Sequence, residues 1–82
     1  MSEKIAVLST DLGFNLEKFA SQMSHPTRFL KCCEDFADKC GSERGPLSFC
    51  VYLRKNRLLA EAKAICQFFL THRPEALARF LG

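Results

Sequence analysis

"NRLLAEAKAICQFFLTHRPEALARFLG", residues 56–82, decides how this chain is read. Leu58, Leu59, Ala62, Ile65, Cys66, Phe69 and Leu70 recur every three or four residues, the period of an amphipathic α-helix over about 58–71. A polar break follows. Pro74 suits the first position of a new helix, where its missing N–H costs nothing. Leu77, Phe80 and Leu81 then form one more helical pattern, 74–81. Neighbours on a helix point about 100° apart, so Phe68 and Phe69 cannot both enter one narrow core. One of them faces a second surface.

Upstream, Pro46 opens a helix whose apolar residues are Leu47, Phe49, Cys50, Val51 and Leu53. The basic stretch "RKNR", 54–57, makes a tight turn at Asn56 and Arg57, so 46–71 reads as a helical hairpin. "GSERG", 41–45, is the one clear loop. "SHPTRF", 24–29, is a stop and restart, with Ser24 or His25 as the cap and Pro26 as the first helical residue. The helix it starts covers 26–40. Phe29, Leu30, Cys33, Phe36, Ala37 and Cys40 line its apolar face, with Lys31, Glu34, Asp35, Asp38 and Lys39 opposite. Gly41 suits its C-terminal cap.

The N-terminal stretch carries one continuous stripe: Ile5, Leu8, Leu12, Leu16, Phe19 and Met23. Thr10, Asp11 and Gly13 are weak helix formers within it. Residues 3–23 therefore form either one helix or two short ones broken near 9–13. Val7 and Phe14 lie off the stripe. No segment sustains the period-2 alternation of a strand. The expectation is one all-α domain, 1–82, a compact bundle of four to five short helices.

The chain has 82 residues, too few for more than one ordinary domain. Such a chain buries only roughly 60–65% of its unfolded surface. Its stability margin is thin unless disulfides, metal or a partner reinforce it. Hydrophobic residues make up 48% and charged residues 26%, a globular rather than disordered balance. No apolar run reaches the ~20 residues of a membrane span, and "MSEKIAVLSTD" lacks the features of a secretory signal. A cytoplasmic location is expected. Five basic and six acidic side chains fall in 1–42, against seven and three in 43–82. That mild dipole favours an acidic partner for the second half and is too weak for a nucleic-acid footprint.

The cysteines are Cys32, Cys33, Cys40, Cys50 and Cys66. Their number is odd and no C-x-x-C pair occurs, so zinc and dithiol-redox spacings are absent. His25 and His72 form no ligand pair. Cys33, Cys50 and Cys66 sit at apolar helix positions, where free cysteine acts as a small buried hydrophobe. No metal, cofactor or disulfide is expected, which leaves a partner as the reinforcement. No nucleophile elbow, P-loop or H-E-x-x-H motif occurs. Glu34, Asp35 and Asp38 read as a solvated face, and no enzyme is expected.

The segment "LLAEA", 58–62, with Ala62 as the small residue at a helix crossing and Pro74 twelve residues later, resembles a tetratricopeptide-type hairpin. Glu61 before the alanine and the Leu58–Leu59 pair also fit. Cys50 stands where the first helix of that repeat carries a small residue. Pro46 replaces its common tryptophan, and Phe69 its late alanine. There is one copy, covering less than half the chain. "LRKNRLLAEAKAICQFF" followed by "PEALARFLG" is similar to the repeat junctions of the small helical chaperones of type III secretion systems. That resemblance implies a cytoplasmic adaptor or chaperone with a groove for an amphipathic helix. Its cargo would be a needle or translocator subunit, held by a homodimer or a heterodimer.

One hairpin of such a repeat cannot bury its apolar face alone. The expected partner-binding residues are Leu58, Leu59, Ile65, Phe68, Phe69, Leu77, Phe80 and Leu81. The rival class is a small DNA-binding regulator with "RKNR" at a helix-turn-helix corner. Residues 58–71 offer only Glu61, Lys63, Gln67 and Thr71 to a groove, too little for a recognition helix. A phage-type inhibitor of another protein shares the physics of the adaptor reading.

Overall fold

The computed structural model describes residues 3–13, 15–39 and 45–72. Among them the chain is all-α, with five helices and no strand. The helices fall into two compact units, within 1–44 and 45–82.

The first unit holds α1 (Glu3–Leu12), α2 (Leu16–Ala20) and α3 (Pro26–Lys39), each packed on the other two. The N-terminal stripe is two helices, with the break between Leu12 and Leu16. Gly13 has φ 84°, and its N–H donates to the Ser9 carbonyl at 2.8 Å. That left-handed position ends α1 and suits glycine, which has no Cβ to clash. Asn15 then caps α2, its Oδ1 accepting from the Lys18 N–H at 3.1 Å. The Ser9 hydroxyl oxygen accepts from the Leu16 N–H at 3.1 Å and ties the two helix ends together.

At the start of α3, the Phe29 N–H donates to the His25 carbonyl at 3.1 Å. His25 is therefore the cap and Pro26 the first helical residue. Ile5, Leu8 and Leu12 of α1, Leu16 and Ala20 of α2, and Phe29, Cys32, Cys33, Phe36 and Ala37 of α3 are buried. Phe19 and Phe29 meet with ring centroids 5.6 Å apart. Leu30, expected on the apolar face, is half-buried. Cys32, not expected there, is buried, because α3 is covered by two helices and buries a wider arc. Lys4 Nζ donates to Asp38 Oδ2 at 2.8 Å between α1 and α3. Both side chains are about half exposed, so the pair contributes little to stability. Cys40 and residues 41–44 of the expected loop lie outside the described residues.

The second unit is a helical hairpin, α4 (Pro46–Lys55) and α5 (Leu59–His72). Gly45 precedes α4 in extended conformation, φ −121° and ψ 166°, and Pro46 takes the first helical position. The turn is a Schellman motif. The Arg57 N–H donates to the Arg54 carbonyl at 3.1 Å, and the Leu58 N–H to the Leu53 carbonyl at 2.9 Å. Arg57 sits between them at φ 63°, a left-handed position usually given to glycine. Leu53 and Leu58, the hydrophobic pair that such a motif brings together, are both buried. Leu58 then caps α5, its carbonyl accepting from the Ala62 N–H at 2.9 Å.

Pro46, Phe49, Cys50 and Leu53 of α4 are buried, as are Ala62, Ile65 and Phe69 of α5. Two residues expected inward on α5 are not: Leu59 is 65% exposed and Leu70 57%. The proposed terminal helix 74–81 lies outside the described residues.

Candidate protein-binding surface

Helix α5 presents three strips along its length. Leu58, Ala62, Ile65 and Phe69 lie within about 60° of one another around the helix axis and form the buried strip. Leu59, Lys63, Cys66 and Leu70 follow one another at i, i+4, i+7 and i+11 on one flank. Glu61, Ala64, Phe68 and His72 occupy the other.

The eight expected contact residues are thus spread over different environments. Leu58, Ile65 and Phe69 are interior. Leu59 is exposed and Phe68 half-buried. Leu77, Phe80 and Leu81 lie outside the described residues. Leu70 belongs with Leu59 on the open flank, although its place in the sequence pattern points inward. Leu59 and Leu70 are eleven residues apart, three helical turns.

The Phe68–Phe69 pair divides as adjacent helical residues must. Phe69 is fully buried. Its ring meets that of Phe68 edge to face, with centroids 5.9 Å apart and planes at 81°. This is a favourable arrangement of two ring quadrupoles. Phe68 stacks on the His72 imidazole at 4.6 Å and 19°, one turn further along. His72 Nδ1 lies 3.3 Å from the Phe68 carbonyl oxygen. Phe68 is therefore covered on the Phe69 and His72 sides.

Glu61, read from the sequence as part of the polar face, is only 7% exposed. It occupies the first turn of α5, where the exposed backbone N–H groups of a helix favour negative charge. No spacing signal distinguishes it from a solvated glutamate.

The thiols are free among the described cysteines. Burial pushes the Cys32 thiol up to about 11, with the Asp35 carboxylate adding to the effect and Arg28 opposing it. Burial also raises Cys33, and the adjacent Cys32 raises it further. Cys50 is pushed up to about 12, chiefly by burial and then by its bond to Cys66. Thiols held neutral in this way are weak nucleophiles and weak metal ligands. Cys66 is half-buried, and its Sγ lies 2.8 Å from Cys50 Sγ.

Two depressions mark the first unit. One, of about 240 Å³, is lined by Glu3, Lys4, Val7, Ala37 and Asp38. The other, of about 540 Å³, surrounds the start of α3 from Ser24 to Arg28 with Lys31. Both are open, and neither converges polar groups on an enclosed volume as a small-molecule site does. Among the described residues, no group of three or more His, Cys, Asp or Glu side chains is placed to hold a metal ion. No helix among them is long and apolar enough to cross a membrane. The chain matches no protein-family model, no curated protein and no solved structure.

Proposed function

We propose that the chain is a small protein-binding adaptor or chaperone that covers an amphipathic helix of a partner. The observation that carries this reading is the open flank of α5, where Leu59 and Leu70 are 65% and 57% exposed in line with half-buried Cys66. An apolar line at i, i+7 and i+11 matches the line of apolar side chains that a partner helix offers when it lies alongside. Lys63 within the line, and the basic excess of residues 43–82, favour a partner helix with acidic flanks. A needle or translocator subunit of a type III secretion system is the cargo that the sequence resemblance implies.

The test is a photo-crosslinking residue placed at position 59 or 70 in the cells that make the protein. A discrete adduct with one other polypeptide is expected at both positions. The same residue at Lys18, exposed on α2, should give none. Identical adducts at all three positions, or none at any, would refute the reading.

The second reading, a DNA-binding regulator, draws on the exposed Arg54, Lys55 and Arg57 around the hairpin turn. Three cations there suit phosphate contact, but the adjoining flank of α5 offers leucines where base edges require polar groups. Duplex binding is expected to be weak and independent of sequence at physiological salt. A sub-micromolar, sequence-selective gel shift would favour the regulator.

A further inference from the structure

Cys50 and Cys66 come from facing helices of the hairpin, and their Sγ atoms are 2.8 Å apart. That is roughly 0.8 Å longer than a disulfide bond of about 2.05 Å. Both are free thiols, and they stand sixteen residues apart across the Schellman turn. We infer that Cys50 and Cys66 are a redox modification site: a dithiol that a small disulfide such as oxidised glutathione converts to a Cys50–Cys66 bond, locking α4 to α5. This inference does not depend on the partner-binding reading.

The two sulfurs are unequally placed, which gives the reaction an order. Cys66 is half-buried and within reach of solvent; Cys50 is buried. The Cys66 thiol loses its proton to solvent, and its thiolate attacks one sulfur of oxidised glutathione. The glutathione S–S bond breaks, and one glutathione leaves and takes up a proton. Cys66 is now a mixed disulfide. Cys50 Sγ, already alongside, gives up its proton and attacks Cys66 Sγ. That breaks the mixed bond and releases the second glutathione, which is protonated in turn. Two protein thiols lose two electrons and two protons, and one glutathione disulfide becomes two thiols. Burial holds the Cys50 thiol neutral, so the second step is the slow one.

The other described cysteines do not compete. Cys32 and Cys33 are adjacent on α3, and both are buried. Side chains of adjacent helical residues diverge by about 100°, so the pair cannot close a bond without distorting the helix.

The experiment uses the full reduced chain, incubated with excess oxidised glutathione, then acid-quenched, alkylated in denaturant and digested with trypsin without reduction. The sequence separates the candidates. Cys32 and Cys33 share peptide 32–39, Cys40 falls in 40–44, Cys50 in 45–54 and Cys66 in 64–79. The expected product has lost two hydrogen atoms, with 45–54 linked to 64–79 and the other three thiols alkylated. It should melt several degrees above the reduced form, since the bond closes a loop spanning 16 residues in the unfolded chain. Cys66→Ser should abolish both the linked peptide and the rise in melting temperature. Cys40→Ser should leave both in place. The inference is overturned by any of three results on the unsubstituted chain: thiols still free after overnight exposure, a bond that includes Cys32, Cys33 or Cys40, or a Cys66–glutathione adduct that never resolves. It is also overturned if the oxidised chain melts at or below the reduced one.

Discussion

The hairpin turn sets two adjacent residues against each other, and glycine at each should act with opposite sign. Arg57 holds φ 63° while its two flanking N–H groups complete the Schellman bonds to Arg54 and Leu53. An L-residue with a Cβ costs about 1–2 kcal/mol in that region. Glycine removes the cost but loses about 0.5–1 kcal/mol more conformational entropy on folding. The net gain for Arg57→Gly therefore spans about 0–1.5 kcal/mol, and its midpoint corresponds to a rise in Tm of roughly 3–6 °C for a chain of this size. Asn56, one residue earlier, has φ −96° and ψ 16°. Its Nδ2 donates to the Tyr52 carbonyl at 2.8 Å. Asn56→Gly has no left-handed penalty to relieve, loses that bond and adds chain entropy, so its Tm should fall.

The assay is thermal unfolding by far-ultraviolet circular dichroism for the parent chain, Arg57→Gly, Arg57→Ala and Asn56→Gly. Arg57→Ala is the decisive control. It removes the same charge from beside the α4 C-terminus but keeps the Cβ, so the difference between the glycine and alanine variants isolates the backbone. A moderate salt concentration screens the remaining charge effects. If Arg57→Gly and Arg57→Ala melt together, or if Asn56→Gly is the stabilised variant, the turn is not the motif described.

Three further outcomes are expected. Phe69→Ala should cost about 3–5 kcal/mol, enough to unfold much of a small domain, whereas Leu70→Ala, one residue along, should leave the melting temperature nearly unchanged; equal losses would place Leu70 in the core. Stability should fall as pH rises above the ordinary thiol value of 9.0, since Cys32 and Cys50 are pushed up to about 11 and 12 in the folded chain. Below pH 9 both states keep their thiol protons; above it the unfolded chain releases protons that the folded chain retains, so unfolding is favoured, and a Cys32→Ala, Cys50→Ala double variant with an unchanged alkaline slope would count against burial as the cause. Replacing Lys4 by alanine should leave the melting curve where it is, because its partner Asp38 is itself about half exposed; a clear drop would show that the pair orders α1 on α3.

What the sequence reveals depends on how far each signal reaches. Pro26 and Pro46 mark the first residues of α3 and α4 because proline's geometry acts locally, whatever packs around it. Asn56 and Arg57 mark the turn for the same local reason. The Phe68–Phe69 split follows from helical geometry alone. By contrast, the apolar residues of α5 from Leu58 to Leu70 sweep more than a third of the helix circumference, and periodicity cannot say which edge of so wide a stripe is covered. Only the position of α4 decides that Leu58 and Phe69 are interior while Leu59 and Leu70 are open. Cys32 is the mirror case: the stripe is too narrow to include it, and a second covering helix buries it.

The Cys50–Cys66 contact lay nearer to being readable. Once 46–71 is taken as an antiparallel hairpin turning at Asn56 and Arg57, Cys50 lies six residues before the turn and Cys66 nine after it, less than one helical turn from facing each other. Cysteine counting by C-x-x-C spacing looks for ligands on one local segment and passes over such a pair. The surface proposed for binding and the dithiol then share one residue, Cys66, which lies between Leu59 and Leu70 on the same flank of α5. A disulfide there would draw the Cys66 sulfur toward α4 and away from that flank. If a partner helix rests on Leu59 and Leu70, its affinity should differ between the reduced and oxidised chain. If the Cys50–Cys66 bond forms and affinity is unchanged, the partner lies elsewhere on the molecule while the redox site stands.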